Sequence, residues 1–227
     1  MTVTSRLRRV APVKPSAAQP SRRERAAETR RTMLDAAIAR FTADGYDGTT
    51  MAKIAEQAGV AVQTLYFTFH TKAQLLQETL ERAVLGDGPP IPPPQTHWYQ
   101  AMRAQQAIRP ALQHLVGGVS QILQRVAPLS PVFEAAAAEP GVAEVWADAE
   151  QLRLDGYRAI VELLAGKQPL AAGHTLDSAT DVLFVLLGPD TFRAFTHGRS
   201  WPLDQWKAWV TTALEQDLFT RPAKGPA

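Results

Sequence analysis

Apolar residues recur along this chain at intervals of three and four, the period of a helix, and not in the alternation of a half-buried strand. Leu34, Ala37, Ile38 and Phe41 form one such stripe and predict a first helix ending near Gly45. Met51, Ile54, Ala55 and Ala58 repeat the spacing on a short second helix, with Thr49 or Thr50 as its N-cap. Gly59 follows, and then a short third helix around residues 61–67. Thr71-Lys72-Ala73-Gln74 has the form of a capping box. It opens a fourth helix that carries Leu75, Leu76, Thr79, Leu80, Ala83 and Val84 on one side. Farther along, helices are expected at 98–107, 110–126, 131–138, 142–165, 176–187, 190–196 and 203–218. Gly188-Pro189 must kink or split its helix, because proline removes an amide donor and clashes with the preceding turn. No stretch rich in Val, Ile and Thr argues for a sheet, so the chain reads as all-α.

Proline divides this pattern. Residues 21–88 hold none, whereas Gly86-Asp87-Gly88-Pro89-Pro90-Ile91-Pro92-Pro93-Pro94 stops any helix and reads as a stiff, partly polyproline-II connector. The expected organisation is a disordered basic tail (1–21), a helical module (22–86), a Pro-rich linker (87–96) and a larger helical domain (97–227).

Composition then narrows the chemistry. The 227 residues include no cysteine, which excludes thiol nucleophiles, disulfide frameworks, Cys-ligated zinc and iron–sulfur clusters. No apolar run approaches the roughly 20 residues of a membrane span, and no apolar segment follows the basic N-terminus as in a signal peptide. The net charge of +2 conceals a strong asymmetry. Residues 1–31 carry +7, residues 32–86 carry −2 and residues 87–227 carry −3. A basic head suits either a polyanion partner or a merely solvated tail.

The second and third predicted helices carry the most specific signal. Ala55, Gly59 and Leu65 are spaced as a helix-turn-helix requires. The first must be small where the helices cross, the second takes the left-handed conformation of the turn, and the third plugs the second helix into the core. An αα-corner that binds no DNA would use the same residues.

The run from Thr49-Thr50-Met51-Ala52-Lys53-Ile54-Ala55-Glu56-Gln57-Ala58-Gly59-Val60 through Thr64-Leu65-Tyr66-Phe67-Thr68-Phe69 to Lys72-Ala73-Gln74-Leu75-Leu76 resembles the TetR family of transcriptional regulators. Phe41-Thr42-Ala43-Asp44-Gly45-Tyr46 matches the ending of that family's first helix, and the resemblance spans roughly residues 28–86. More loosely, Phe133-Glu134-Ala135-Ala136-Ala137-Ala138 and the segment from Trp201 to Trp206-Lys207-Ala208-Trp209 look like one subgroup of its ligand domains. The resemblance implies an all-α protein with an N-terminal three-helix helix-turn-helix module that binds DNA. A larger helical domain for ligand binding and dimerisation follows. It also implies a homodimer whose recognition helices enter successive major grooves of a palindromic double-stranded operator.

Carried over position by position, Thr50, Thr64, Tyr66 and Lys72 match phosphate-contacting positions, where hydroxyls and a cation meet phosphate oxygens. Gln63 is the candidate base reader, since its amide can pair with adenine N6 and N7. Val62 and the Thr64 methyl are placed to touch a thymine methyl, and Phe67 and Thr68 complete the candidate face. The chain departs from the family at Val62 and Thr68, where many members carry Lys and His. Arg30 and Arg31, with Arg22, Arg23 and Arg25, are the candidates to replace that charge along the backbone or in a minor groove.

In the C-terminal domain the candidate pocket residues are Trp98, Met102, Phe133, Trp146, Arg153 and Tyr157, with Arg153 suited to an anionic ligand. The alternative for each is ordinary core or surface, which is where large apolar residues at helical spacing usually belong. Residues 181–195 and 204–219 form the expected dimer interface, the alternative being an intramolecular helix pair. His97, His114, His174 and His197 lie far apart with no i, i+4 pair, so neither a metal nor a cofactor is expected. No nucleophile elbow, zinc-protease motif, P-loop or dinucleotide fingerprint occurs, which argues against an enzyme. The expected function is a cytoplasmic, nucleoid-associated bacterial repressor released from DNA by a small-molecule effector. The alternative is a constitutive DNA-binding or architectural protein with no effector.

Overall fold

The computed structural model describes residues 21–86 and 92–219. The expected basic tail (except residue 21) and the Asp87–Ile91 part of the linker lie outside the described residues, as does the chain beyond residue 219.

Four helices make the N-terminal bundle: α1 (Arg22–Gly48), α2 (Met51–Ala58), α3 (Val62–Phe69) and α4 (Lys72–Leu85). Ser21 and Glu24 close a reciprocal capping box at the start of α1, satisfying two amides that have no partner in the helix. The helical dihedrals of α1 break at Gly45 (φ 71°), where the chain turns back so that Tyr46 stacks on Phe41. Thr49 is buried and donates its hydroxyl to the carbonyls of Arg40 and Gly45, while Thr50 caps α2. Thr71 caps α4 by accepting from the Gln74 amide. The bundle core is the expected stripe set: Leu34, Ala37, Phe41, Ile54, Ala55, Leu65, Phe69, Leu75, Leu76 and Leu80 are all buried.

The remaining helices are α5 (His97–Ala104), α6 (Ile108–Val126), α7 (Ser130–Ala135), α8 (Val142–Ala165), α9 (Leu176–Leu186), α10 (Pro189–Arg193) and α11 (Leu203–Leu218). Where an extended connector was expected, Pro93–Gln95 form one 3-10 turn, a geometry that asks no amide of the prolines, and Thr96 caps α5. Gly188 separates α9 from α10, as its Pro neighbour demands. The helix expected over 190–196 ends at Arg193 and widens into a π-turn over Ala194–Gly198.

α6 is the axis of this half. Its buried residues Ile108, Ala111, Leu112, Leu115, Val116, Val119 and Leu123 follow the helical period over four turns. They pack with Ile160 and Leu164 of α8, Leu183 of α9 and Trp206, Val210 and Leu214 of α11. α7 does otherwise: Val132 and Phe133, with Leu129, join the core of the N-terminal bundle. Among the described residues the only β feature is a bridge between Leu170 and Phe219. No helix among them is long and apolar enough to cross a membrane.

Candidate nucleic-acid interface and interior cavity

α2 and α3 cross at a residue with almost no side chain. Ala55 is fully buried, which lets the backbones approach, and Leu65 and Phe69 anchor the inner face of α3. The turn between them depends on Gly59, at φ 68° and ψ 31°. Its amide donates to Ala55 and Glu56, and the Val60 amide closes onto the Ala55 carbonyl at 3.0 Å. This is a Schellman-type helix end, and a Cβ at Gly59 would be held in a conformation that L-residues adopt only at a cost.

Anchoring one face of α3 turns the other outward. Gln63 and Thr64 are exposed, Tyr66 is 49% exposed and Phe67 85%, while Val62 and Thr68 are half-buried. Thr68 spends its hydroxyl on the Thr64 carbonyl. Ala61, at the N-cap of α3, supplies no side-chain acceptor; the Thr64 amide turns back to the Ala61 carbonyl at 2.9 Å, and those of Val62 and Gln63 are left to meet an anion. α3 ends at His70, whose φ of 56° and ψ of −52° place it in a γ-turn closed from the Thr71 amide to the Phe69 carbonyl at 2.5 Å.

The candidate cations are less free than their exposure in sequence suggests. Lys72 Nζ donates to the carbonyls of Tyr46 (3.1 Å) and Thr49 (3.3 Å) and sits 3.9 Å from the centre of the Tyr46 ring. Arg30 pairs with Glu78 of α4 and lies over the Phe69 ring. Arg31 pairs with Glu28 one turn earlier. Arg22, Arg23 and Arg25 are exposed on the first turns of α1.

A cavity of about 1000 Å³ opens between α4, α5, α6 and α8. Four of the candidate pocket residues line it together: Trp98, Trp146, Arg153 and Tyr157. Met102 and Phe133 do not reach it. Met102 is fully buried in the α6 core, and Phe133 is buried in the bundle core with its ring stacked on Trp146 at 5.0 Å. Trp98 is held by an absence: a Cβ at Gly118 would fall 2.1 Å from its ring, so only glycine lets the indole lie against α6. The Tyr157 hydroxyl donates to the Leu187 carbonyl at 2.9 Å, and burial pushes its phenol up to about 12. Arg153 offers no free cation to an anion. Its guanidinium grips Glu150 through two nitrogens at 3.0 and 2.6 Å and donates to the Phe184 carbonyl at 2.7 Å.

Sequence reasoning did not single out Tyr99, nor the wall supplied by Leu80 and Val84 of α4. The apolar stripe of α4 was the available signal, since it is too broad to be consumed by the bundle core alone. That wall is also bolted to the second half of the chain. Arg125 of α6 donates to the carbonyls of Ala83 (2.7 Å) and Val84 (3.2 Å) in the last turn of α4. Among the described residues no group of His, Asp and Glu could hold a metal ion.

Residues 33–79 match the family model described as bacterial regulatory proteins, tetR family. No curated protein matches the sequence. Solved structures share the fold. NalD of Pseudomonas aeruginosa, the secondary repressor of the MexAB-OprM multidrug efflux pump, is 19% identical with a TM-score of 0.61, over 86% of this chain and 98% of that one. A regulator from Saccharomonospora viridis in complex with choline is 17% identical with a TM-score of 0.63, over 86% and 100%. A protein assigned to the TetR family from Rhodococcus sp. is 16% identical with a TM-score of 0.60, over 84% and 98%. The chain thus carries the DNA-binding domain of the TetR family of bacterial regulatory proteins over residues 33–79 and shares the fold of these regulators over most of its length.

Proposed function

We propose that the protein is a repressor that binds a palindromic DNA operator as a homodimer and leaves it when a small molecule occupies the cavity. The observation that carries the DNA half is the outward face of α3, polar and aromatic on a helix locked into the bundle by Leu65 and Phe69. Gln63 reads a base edge, Thr64, Tyr66 and Thr50 meet phosphate, and Phe67 lies against thymine methyls or sugar. Lys72 adds its remaining N–H to the phosphate contacts, and Arg30 and Arg31 lend charge from α1. Val62 and Thr68, half-buried, shape the edge of this face more than they add polar contacts to it.

Dimerisation uses the outer faces of α9 and α11. Val185 is 59% exposed on α9, and Phe195, Trp201 and Trp209 form a half-buried aromatic cluster beside α11. Such a surface is costly to leave in water. The ligand half rests on the cavity: a constitutive DNA-binding protein needs no space of this size, and the helix that carries one wall, α4, also carries α3. NalD being a repressor and the S. viridis protein being bound to choline agree with this reading. The protein acts on the bacterial chromosome in the cytoplasm.

Selection of bound DNA from a random pool tests it. The expected product is a palindrome with half-sites about one DNA turn, roughly 34–36 Å, apart. Enrichment of a single half-site, or of none, refutes the dimeric operator reading.

A further inference from the structure

The charge around the cavity has a sign. Its wall brings together four carboxylates, those of Glu78, Glu81, Asp148 and Glu150, and one cation, Arg153. Two of the four are neutralised within the protein. Glu150 is held by Arg153, and Glu78 by Arg30 from the α1 side. Arg153 is spent in doing so: besides Glu150 it serves the Phe184 carbonyl and lies 3.6 Å from the centre of the Phe184 ring. Glu81 of α4 and Asp148 of α8 remain, and neither has an ion-pair partner among the described residues. The residual field at this site is therefore negative, and no cation on the wall answers it.

The rest of the wall is apolar and aromatic. Trp98, Tyr99, Trp146 and Tyr157 all line it, and aromatic rings attract a cation through their quadrupole. The Tyr157 hydroxyl is committed to Leu187 and its ring already carries the Arg153 guanidinium at 5.7 Å, so Trp98, Tyr99 and Trp146 are the rings left for a ligand. Glu81 and Asp148 are exposed at the rim, where water weakens a lone charge. Attraction there needs the aromatic wall behind it. A space of about 1000 Å³ is far more than a bare ammonium fills, so the bulk of the ligand has to be apolar.

We propose that the cavity selects an amphiphilic organic cation, a quaternary ammonium, phosphonium or protonated amine carrying large apolar groups, and rejects an anion of equal size. This rests on the reading of the cavity as an effector site, and it reverses the preference that Arg153 suggested in the sequence.

Tetraphenylphosphonium and tetraphenylborate have nearly the same shape and opposite charge, so the full-length protein is titrated with each by calorimetry. The phosphonium is expected to bind about tenfold or more tightly than the borate. In the double variant Glu81→Gln, Asp148→Asn that preference should shrink by about fivefold or more, with the helical circular dichroism unchanged. Equal or tighter binding of the borate by the unmodified protein overturns the proposal, as does a preference that the double variant leaves intact. Release of the selected operator is read on the same samples. Selective phosphonium binding without release leaves the ligand class standing and overturns the switch. Release by a neutral or anionic effector, with no phosphonium binding, does the reverse.

Discussion

Lys72 has three N–H groups, and two of them already serve the Tyr46 and Thr49 carbonyls at the corner between α1 and α2. One is left for a phosphate. Lys72→Ala is expected to lower the slope of log K against log salt by about one unit across all DNA sequences, measured by titration at several ionic strengths. An unchanged slope with a lowered melting temperature would make Lys72 a corner pin only. Gln63, whose side chain has no hydrogen bond among the described residues, is the cleaner candidate reader. Gln63→Ala should cost about 1–3 kcal/mol and relax preference at one operator position, with other positions unmoved. His70 is a different kind of residue. Its γ-turn conformation stores strain of order 1–3 kcal/mol between the recognition helix and α4. His70→Gly should therefore leave stability equal or raise it by up to about 1 kcal/mol in urea unfolding, and His70→Val should lower it. At this scale the sequence was readable where a rule is local. Gly59, Ala55 and Leu65 could be assigned from spacing because a turn four residues long determines them. The partners of Lys72 and Arg30 lie 26 and 48 residues away, and no local rule points to them.

Elements were legible in proportion to the length of their periodic pattern. Val142–Ala165 and Leu203–Leu218 stand where the apolar spacing puts them. Near residue 194 the pattern misleads, because the chain opens into a π-turn as Phe195 packs against Trp201 and Trp209. α7 hides its role for a related reason: six residues cannot say which of two cores will take them, and they join the bundle. The joint between α4 and α6 was equally invisible, since a guanidinium capping a distant helix end leaves no spacing signature. Arg82 ties α4 to Asp35 of α1, and Arg125 ties it to α6, so α4 is held from both halves of the chain. A ligand between α4 and α8 must move these contacts to be felt at α3. Arg125→Gln is expected to leave operator affinity within about threefold in the absence of effector. It should reduce the weakening caused by effector by about 2–30-fold, corresponding to a loss of about 0.5–2 kcal/mol of coupling. The measurement is operator affinity with and without a saturating effector, for both proteins. Coupling retained in full would move the signal path away from this joint.

For the whole molecule, the arrangement of charge and the proposed symmetry bear on the same quantity, operator affinity. The +7 of residues 1–31 stands against −2 in the rest of the bundle and −3 beyond it. On the proposed reading, such a chain would present its basic end to DNA and keep its acidic domain away from it. The reading face of α3 adds almost no charge of its own, so a single head should bind weakly and with strong salt dependence. Two heads tied at the right spacing convert the second contact into an intramolecular one, a gain of about 10²–10⁴. It follows that the dimer face should matter to DNA binding although it touches no DNA. Val185→Glu replaces the one exposed apolar side chain of α9 by a charge, beside the half-buried Val182 and Leu186 and without disturbing the buried Ala179 and Leu183. Sedimentation at micromolar concentration should show a monomer, and operator affinity should fall by about 10²-fold or more with the helical circular dichroism retained. A variant that stays dimeric would locate the interface elsewhere on the C-terminal half. A monomer that still binds the full palindrome undiminished would mean that each head suffices alone, and the near-neutral recognition helix would then have to supply an affinity its composition does not explain.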